Sequence, residues 1–168
     1  KKYNEEHEEH IPDDLVKALY YAALYHDVGR VDNSESRDHG LNSARIFYEV
    51  YKDKEEFKNN KEKLYFIESL MAIHSEKYEI EENDDTNIDN IIQAVLYEHI
   101  RDWNDTSKVK AYAGKYFKIL CDILKDADAL DRKRFGEWQR ASLNEDYLRT
   151  SYSKELVHFA DEINKLYY

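Results

Sequence analysis

The sequence predicts an all-α fold, on three observations. Glycine and proline, the residues that most often interrupt helices, number only four and one in 168 residues. Apolar residues recur at spacings of three and four, the signature of one buried helical face. No stretch alternates apolar and polar residues convincingly with the period of two that a half-buried strand requires.

The elements follow in order. Pro12 suits a first helical turn, and Asp13 and Asp14 sit where the helix dipole is positive; Leu15, Leu19, Ala22 and His26 then share a face, and Gly29 ends the helix. After the polar loop "RVDNSESRD" a second helix runs from about His39 to Tyr51, with Leu41, Ala44, Phe47 and Val50 facing inward. "KDKEEFKNN" reads as a charged connection. The third helix, from about Lys61 to His74, carries Leu64, Ile67, Leu70 or Met71 and then His74 along one stripe. The acidic "EKYEIEENDDTN" behind it reads as a solvated or mobile loop. A fourth helix holds Ile88, Ile91, Ile92, Val95 and His99, a fifth spans about Lys115 to Asp131, and a last one holds Leu156, Phe159, Ile163 and Leu166. Between Arg132 and Ser151 no element stands out. The chain reads as one helical domain over residues 1–168, with its motifs in about 12–136 and a C-terminal helical extension over 137–168.

Composition bounds the function. A formal net charge of -11 disfavours extended contact with nucleic-acid backbone, which depends on many cations meeting phosphates. Small phosphates are still compatible, because a metal ion or a few arginines can reverse the potential within one cleft. No stretch approaches a membrane span, the N-terminal residues lack a signal peptide's apolar segment, and a lone cysteine, Cys121, cannot form an intramolecular disulfide. A soluble, cytoplasmic protein with no membrane partner is the expectation. The fifteen tyrosines are scattered over several faces and read as helix packing with wet tips, not as a base-stacking platform.

Chemistry concentrates at helix ends. "ALYHDVGR" closes an apolar stripe with an imidazole and a carboxylate side by side, His26 and Asp27. Such a pair is either an inexpensive surface helix end or half of a metal site. On the fifth helix, at about 100° per residue, Phe117, Leu120, Cys121, Leu124 and Asp128 share a face, whereas Asp126 lies opposite with Lys118 and Asp122. A carboxylate on an apolar stripe costs several kcal/mol unless it is paired or holds a cation, so Asp128 demands a partner. His39 and His74 stand at two further helix ends. Mixed nitrogen and carboxylate donors suit Mn, Fe, Co, Ni or Zn better than Mg, and a divalent ion held with open positions serves phosphoester hydrolysis by activating water.

Together, "HDVGR" after an apolar helix, "DHGLNSARI" opening the next, "AIHSEK" at a later helix end and "ILKDADALDR" on a late helix resemble the HD-domain metal-dependent phosphohydrolase superfamily. The resemblance covers about Pro12 to Gly136. It implies an all-helical, HD-domain-like bundle with His26, Asp27 and Asp128 as ligands of a first divalent transition metal ion, and His39 and His74 as ligands of a second in relatives that hold two. It implies action on a small phosphate ester, with a nucleotide as the expected substrate. Asp27 would position or deprotonate the water and Arg30 would steady the phosphate, with Lys125 and Asp131 as further substrate contacts. Two departures stand out. The family's first His lies on a preceding helix at a spacing that falls before Lys1, so a bundle without the usual first helix is the expectation, with His7 and His10 as the only local substitutes. Arg30 stands where many relatives carry Lys; it keeps the charge and can hold phosphate in a bidentate way, but is a poor proton donor. The alternative reading is a degenerate, non-catalytic HD-type module that binds a nucleotide or a partner.

Overall fold

A computed structural model describes residues 2–31, 39–75, 86–99, 106–135 and 143–167, and among them there are helices and turns but no strand. The α-helices among the described residues are α1 (Lys2–Glu6), α2 (Asp13–Tyr25), α3 (His39–Tyr51), α4 (Glu55–Lys58), α5 (Lys61–Ser75), α6 (Thr86–His99), α7 (Thr106–Ala113), α8 (Phe117–Asp131), α9 (Ser151–Glu155) and α10 (Val157–Tyr167). The all-α class is as the spacing predicts. No helix among the described residues is long and apolar enough to cross a membrane.

The axis of the fold is α5. Every residue from Lys63 to His74 is buried, because α2, α3, α6, α7 and α8 all pack on it. A helix surrounded in this way needs apolar residues on all sides, which is why its stripe is broader than the single one expected from sequence. At its N-terminal end the ammonium of buried Lys63 pairs with Asp14 at 2.5 Å and Glu56 at 2.8 Å, tying α5 to the start of α2 and to α4. Burial alone would raise the Glu56 pKa, but Lys17, Lys63 and the Tyr21 hydroxyl hold it down at about 2.

Several predicted elements are corrected. "KDKEEFKNN" is not only a connection: it contains α4, whose Phe57 fills an aromatic cluster with Tyr21, Phe47 and Tyr51. An α7 precedes α8, and the helix expected from Lys115 opens as a 3-10 turn over Gly114–Tyr116 before α8 begins. On α3 the inward residues are Gly40, Ser43, Ala44 and Phe47, while Val50 is exposed. Most of "RVDNSESRD" and "EKYEIEENDDTN" lies outside the described residues.

The largest departures come from the C-terminal segment. Asp126, expected on the solvent face of α8, is 1% exposed: it accepts from the backbone N–H of Arg149 and Thr150, both at 2.9 Å, and from the Thr150 hydroxyl at 2.7 Å. Asp122, one turn earlier, is buried beside Arg149. Residues 143–155 therefore cover a second face of α8, which a helical wheel of α8 alone does not reveal. Conversely, Phe159, Ile163 and Leu166, the expected inward stripe of α10, are exposed. α10 meets α8 and the 132–135 turn through the opposite side, where Lys133 pairs with Asp161 at 3.4 Å.

Candidate metal centre

Four helix segments converge at one end of the bundle. α2 ends there in the turn His26–Gly29, α3 begins there with His39, α5 ends there with His74, and the last turns of α8 bring Asp128. Close backbone approach makes this possible. Gly29 donates its N–H to the Ser43 hydroxyl at 2.9 Å, and a Cβ on Gly29 would stand 2.4 Å from the Ser43 nitrogen. A Cβ on Gly40 would stand 2.4 Å from the Met71 carbonyl oxygen, so α3 lies directly on the last turn of α5. Two of the chain's few glycines thus set the α2–α3 and α3–α5 spacing.

Two imidazoles are aimed by backbone carbonyls. His26 Nδ1 donates to the Ala23 carbonyl at 2.8 Å, and His74 Nδ1 donates to the Met71 carbonyl. A carbonyl only accepts, so the proton of each neutral ring sits on Nδ1 and the Nε2 lone pair faces the centre. This is the outer support that metal-ligating histidines usually have. The His74 ring is essentially buried, and its Nε2 lies 3.0 Å from His39 Nε2.

Asp27 sits among these nitrogens. Its Oδ1 is 3.4 Å from His39 Nε2, 3.7 Å from His74 Nε2 and 3.2 Å from Arg30 Nη2, and its Oδ2 is 3.9 Å from His26 Nε2. Despite this crowding, Oδ1 is buried and makes no hydrogen bond. One ligand atom each from His26, Asp27 and His74 fall within 4.8 Å of one another. Asp128 joins the group at His26, with Oδ1 3.6 Å from His26 Nε2. It carries the site outward to Arg132, 3.8 Å from Oδ2.

The electrostatics follow from this packing. Burial works against the ionised form of Asp27, but the neighbouring His74, His26 and Arg30 outweigh it and hold the carboxyl well below its usual range. Asp128 is lowered in the same way, burial being overcome by His26, His74 and Arg132. His26 is raised despite its burial, through Asp128, the Ala23 carbonyl and Asp27. His74 is lowered, because its burial is the larger effect. Both carboxylates are thus held toward their ionised forms and His74 toward its neutral form, as cation binding needs, whereas the raised His26 would have to give up a proton when a cation binds.

These donors fit a transition-metal ion. Metal–ligand bonds of about 2.0–2.2 Å place donor atoms roughly 3–4.4 Å apart around a shared ion, close to the spacing seen here. A buried carboxylate oxygen that makes no hydrogen bond is costly as it stands and is relieved by a cation.

A family model of the HD domain matches residues 2–133. The chain belongs to the HD domain family. Comparison with curated proteins finds no match, and comparison with solved structures finds none either. In this HD domain the structure brings together five of the residues singled out from the sequence as metal ligands, His26, Asp27, His39, His74 and Asp128, with Arg30 beside them.

It does not bring the other two into the centre. Lys125 is buried and donates from Nζ to the His74 backbone carbonyl at 3.2 Å, and Asp131 is exposed at the end of α8. His7 stacks on the Tyr3 ring at 4.0 Å with its Nδ1 against the Tyr3 carbonyl, and His10 is exposed. Neither belongs to the cluster of donors. The residues that sequence reasoning missed are supports: the Ala23 and Met71 carbonyls and Gly40 carry no side-chain signal, whereas Ser43, a polar residue on the inward face of α3, could have been found by its helical position.

Proposed function

We infer that this HD domain is a metal-dependent phosphohydrolase acting on a small phosphate ester, with a nucleotide as the favoured substrate. The reading is carried by the buried, hydrogen-bond-free Oδ1 of Asp27, ringed by His39, His74 and Arg30. His26, Asp27 and Asp128 would hold one divalent transition ion, with His39 and His74 able to add donors for it or for a second. Bound there, such an ion supplies Lewis-acid polarisation of a phosphoryl oxygen and an acidified water.

The chain's own groups do the rest. Asp27 has a carboxylate held ionised at neutral pH, so it can accept from a water molecule and orient it, while its lowered pKa makes it a weak base and suits it better to positioning the water than to deprotonating it. The Arg30 guanidinium leans on Asp27 with Nη2 3.2 Å from Oδ1, which puts its positive charge where it could steady a phosphate held at the centre. Arg132, half-exposed beside Asp128, gives a second cation at the rim. These local cations lie in a chain of net charge -11, which favours a small anion that enters the centre over a polyanion lying across the surface.

The test is a hydrolysis screen of nucleotide monoesters, cyclic nucleotides and generic aryl phosphates with Mn²⁺, Co²⁺ or Ni²⁺, run alongside Asp27→Ala. Metal-dependent turnover lost in the variant supports the reading. A folded, metal-loaded protein inert toward every phosphate ester supports the non-catalytic module instead.

A further inference from the structure

We propose that Lys125 is a positioning residue of the metal centre: its ammonium fastens α8 to the last turn of α5 and so sets Asp128 against the histidines. The proposal rests on reading the site as a metal centre. Sequence reasoning assigns Lys125 to substrate, but the side chain is buried and its Nζ is engaged with the His74 carbonyl at 3.2 Å. A buried ammonium is costly unless its donors are used. The acceptor suits it, since His74 is one residue from the end of α5, where carbonyls lack an intrahelical N–H and carry the negative end of the helix dipole.

The consequence lies one turn along α8. Lys125 and Asp128 are three residues apart and project to the same side of the helix. His74 is then held at two points, its ring by the Met71 carbonyl and its own carbonyl by Lys125. Fixing Lys125 on that carbonyl fixes the height of α8 along α5, and with it the approach of Asp128 to His26. The adjacent Asp126 grips Arg149 and Thr150 on the other flank of α8, so consecutive residues clamp the helix from two sides.

The sign of the effect separates this role from its rivals. A positive charge beside a cation site opposes metal binding through space, so its removal would strengthen binding if charge were all that mattered. A substrate contact would leave metal affinity unchanged and raise KM. A positioning role weakens metal binding when Lys125 is lost. The experiment is calorimetric titration of wild type, Lys125→Met and Lys125→Arg with MnCl₂, with circular dichroism to confirm folding. Lys125→Met is expected to bind Mn²⁺ about tenfold or more weakly, and Lys125→Arg, which keeps donor and charge, within about threefold of wild type. Unchanged or tighter binding by a folded Lys125→Met overturns the proposal alone, whereas a wild type that takes up no Mn²⁺ overturns the metal reading and the proposal together. Should Lys125→Met not fold, a folded Lys125→Arg that loses tenfold or more overturns it, and retained affinity supports it.

Discussion

Replacing Gly40 by alanine tests how the site is built. Alanine ordinarily favours a helix over glycine, by up to about 1 kcal/mol in a helix interior and less in the first turn, where Gly40 sits. Here the added methyl would stand 2.4 Å from the Met71 carbonyl oxygen and 2.5 Å from the Ser75 hydroxyl. The serine can rotate away, but the carbonyl is helix backbone and also orients His74. Ordinary contact then requires α3 and α5 to separate by about 1 Å, and overpacking of this kind costs about 1–3 kcal/mol. The net expectation is a loss of about 1–2 kcal/mol, read as a lower urea midpoint at unchanged m-value. Because His39 is the neighbouring residue and its Nε2 lies 3.0 Å from His74 Nε2, the same shift should weaken Mn²⁺ binding about tenfold or more. A Gly40→Ala protein as stable as wild type, with unaltered metal affinity, would refute the close α3–α5 contact and the geometry derived from it.

Other outcomes follow from the same structure. Asp126→Ala strands the buried Thr150 N–H, removes the acceptor of the part-buried Arg149 N–H and leaves the Thr150 hydroxyl with Ser153 as a partner, so a loss of about 1–3 kcal/mol is expected, with faster proteolysis within residues 143–167 than elsewhere. Glu56 titrates at about 2 in the fold against 4.5 unperturbed, so the unfolded chain binds its proton first as pH falls. Its stabilisation is whole above about pH 4.5 and is lost toward pH 2; after solvent screening it amounts to roughly 1–2 kcal/mol. Acid titrations of wild type and Glu56→Gln should therefore converge in that window and diverge above it. Free Mn²⁺ at about 100 times its dissociation constant should stabilise the protein by about 2.7 kcal/mol, reversibly with chelator.

The helical class was legible because period and punctuation are local properties. Asp128 was legible too, since a carboxylate on an apolar stripe marks itself against neighbouring residues. His39 and His74 showed only as polar residues at helix ends, and their convergence depends on Gly40 and Gly29 letting helices touch, a matter of tertiary contact. Asp126 was misread, and the burial of Lys125 against the His74 carbonyl was not foreseen, for one reason: a wheel of α8 shows its apolar stripe but not the residues 143–155 or the α5 carbonyl that cover its other faces. The α10 stripe failed in the opposite sense, because amphipathic spacing says that a face is apolar without saying what it meets.

The central claim, that His26, Asp27 and Asp128 with the neighbouring histidines form a seat for a divalent transition ion, is tested most directly by equilibrium dialysis against Mn²⁺, Co²⁺ and Zn²⁺ with elemental quantification. Wild type is expected to retain one or two ions per chain, and a folded Asp27→Asn to lose at least about 100-fold in affinity. A wild type that retains no ion, or an Asp27→Asn that retains as much as wild type, would contradict it.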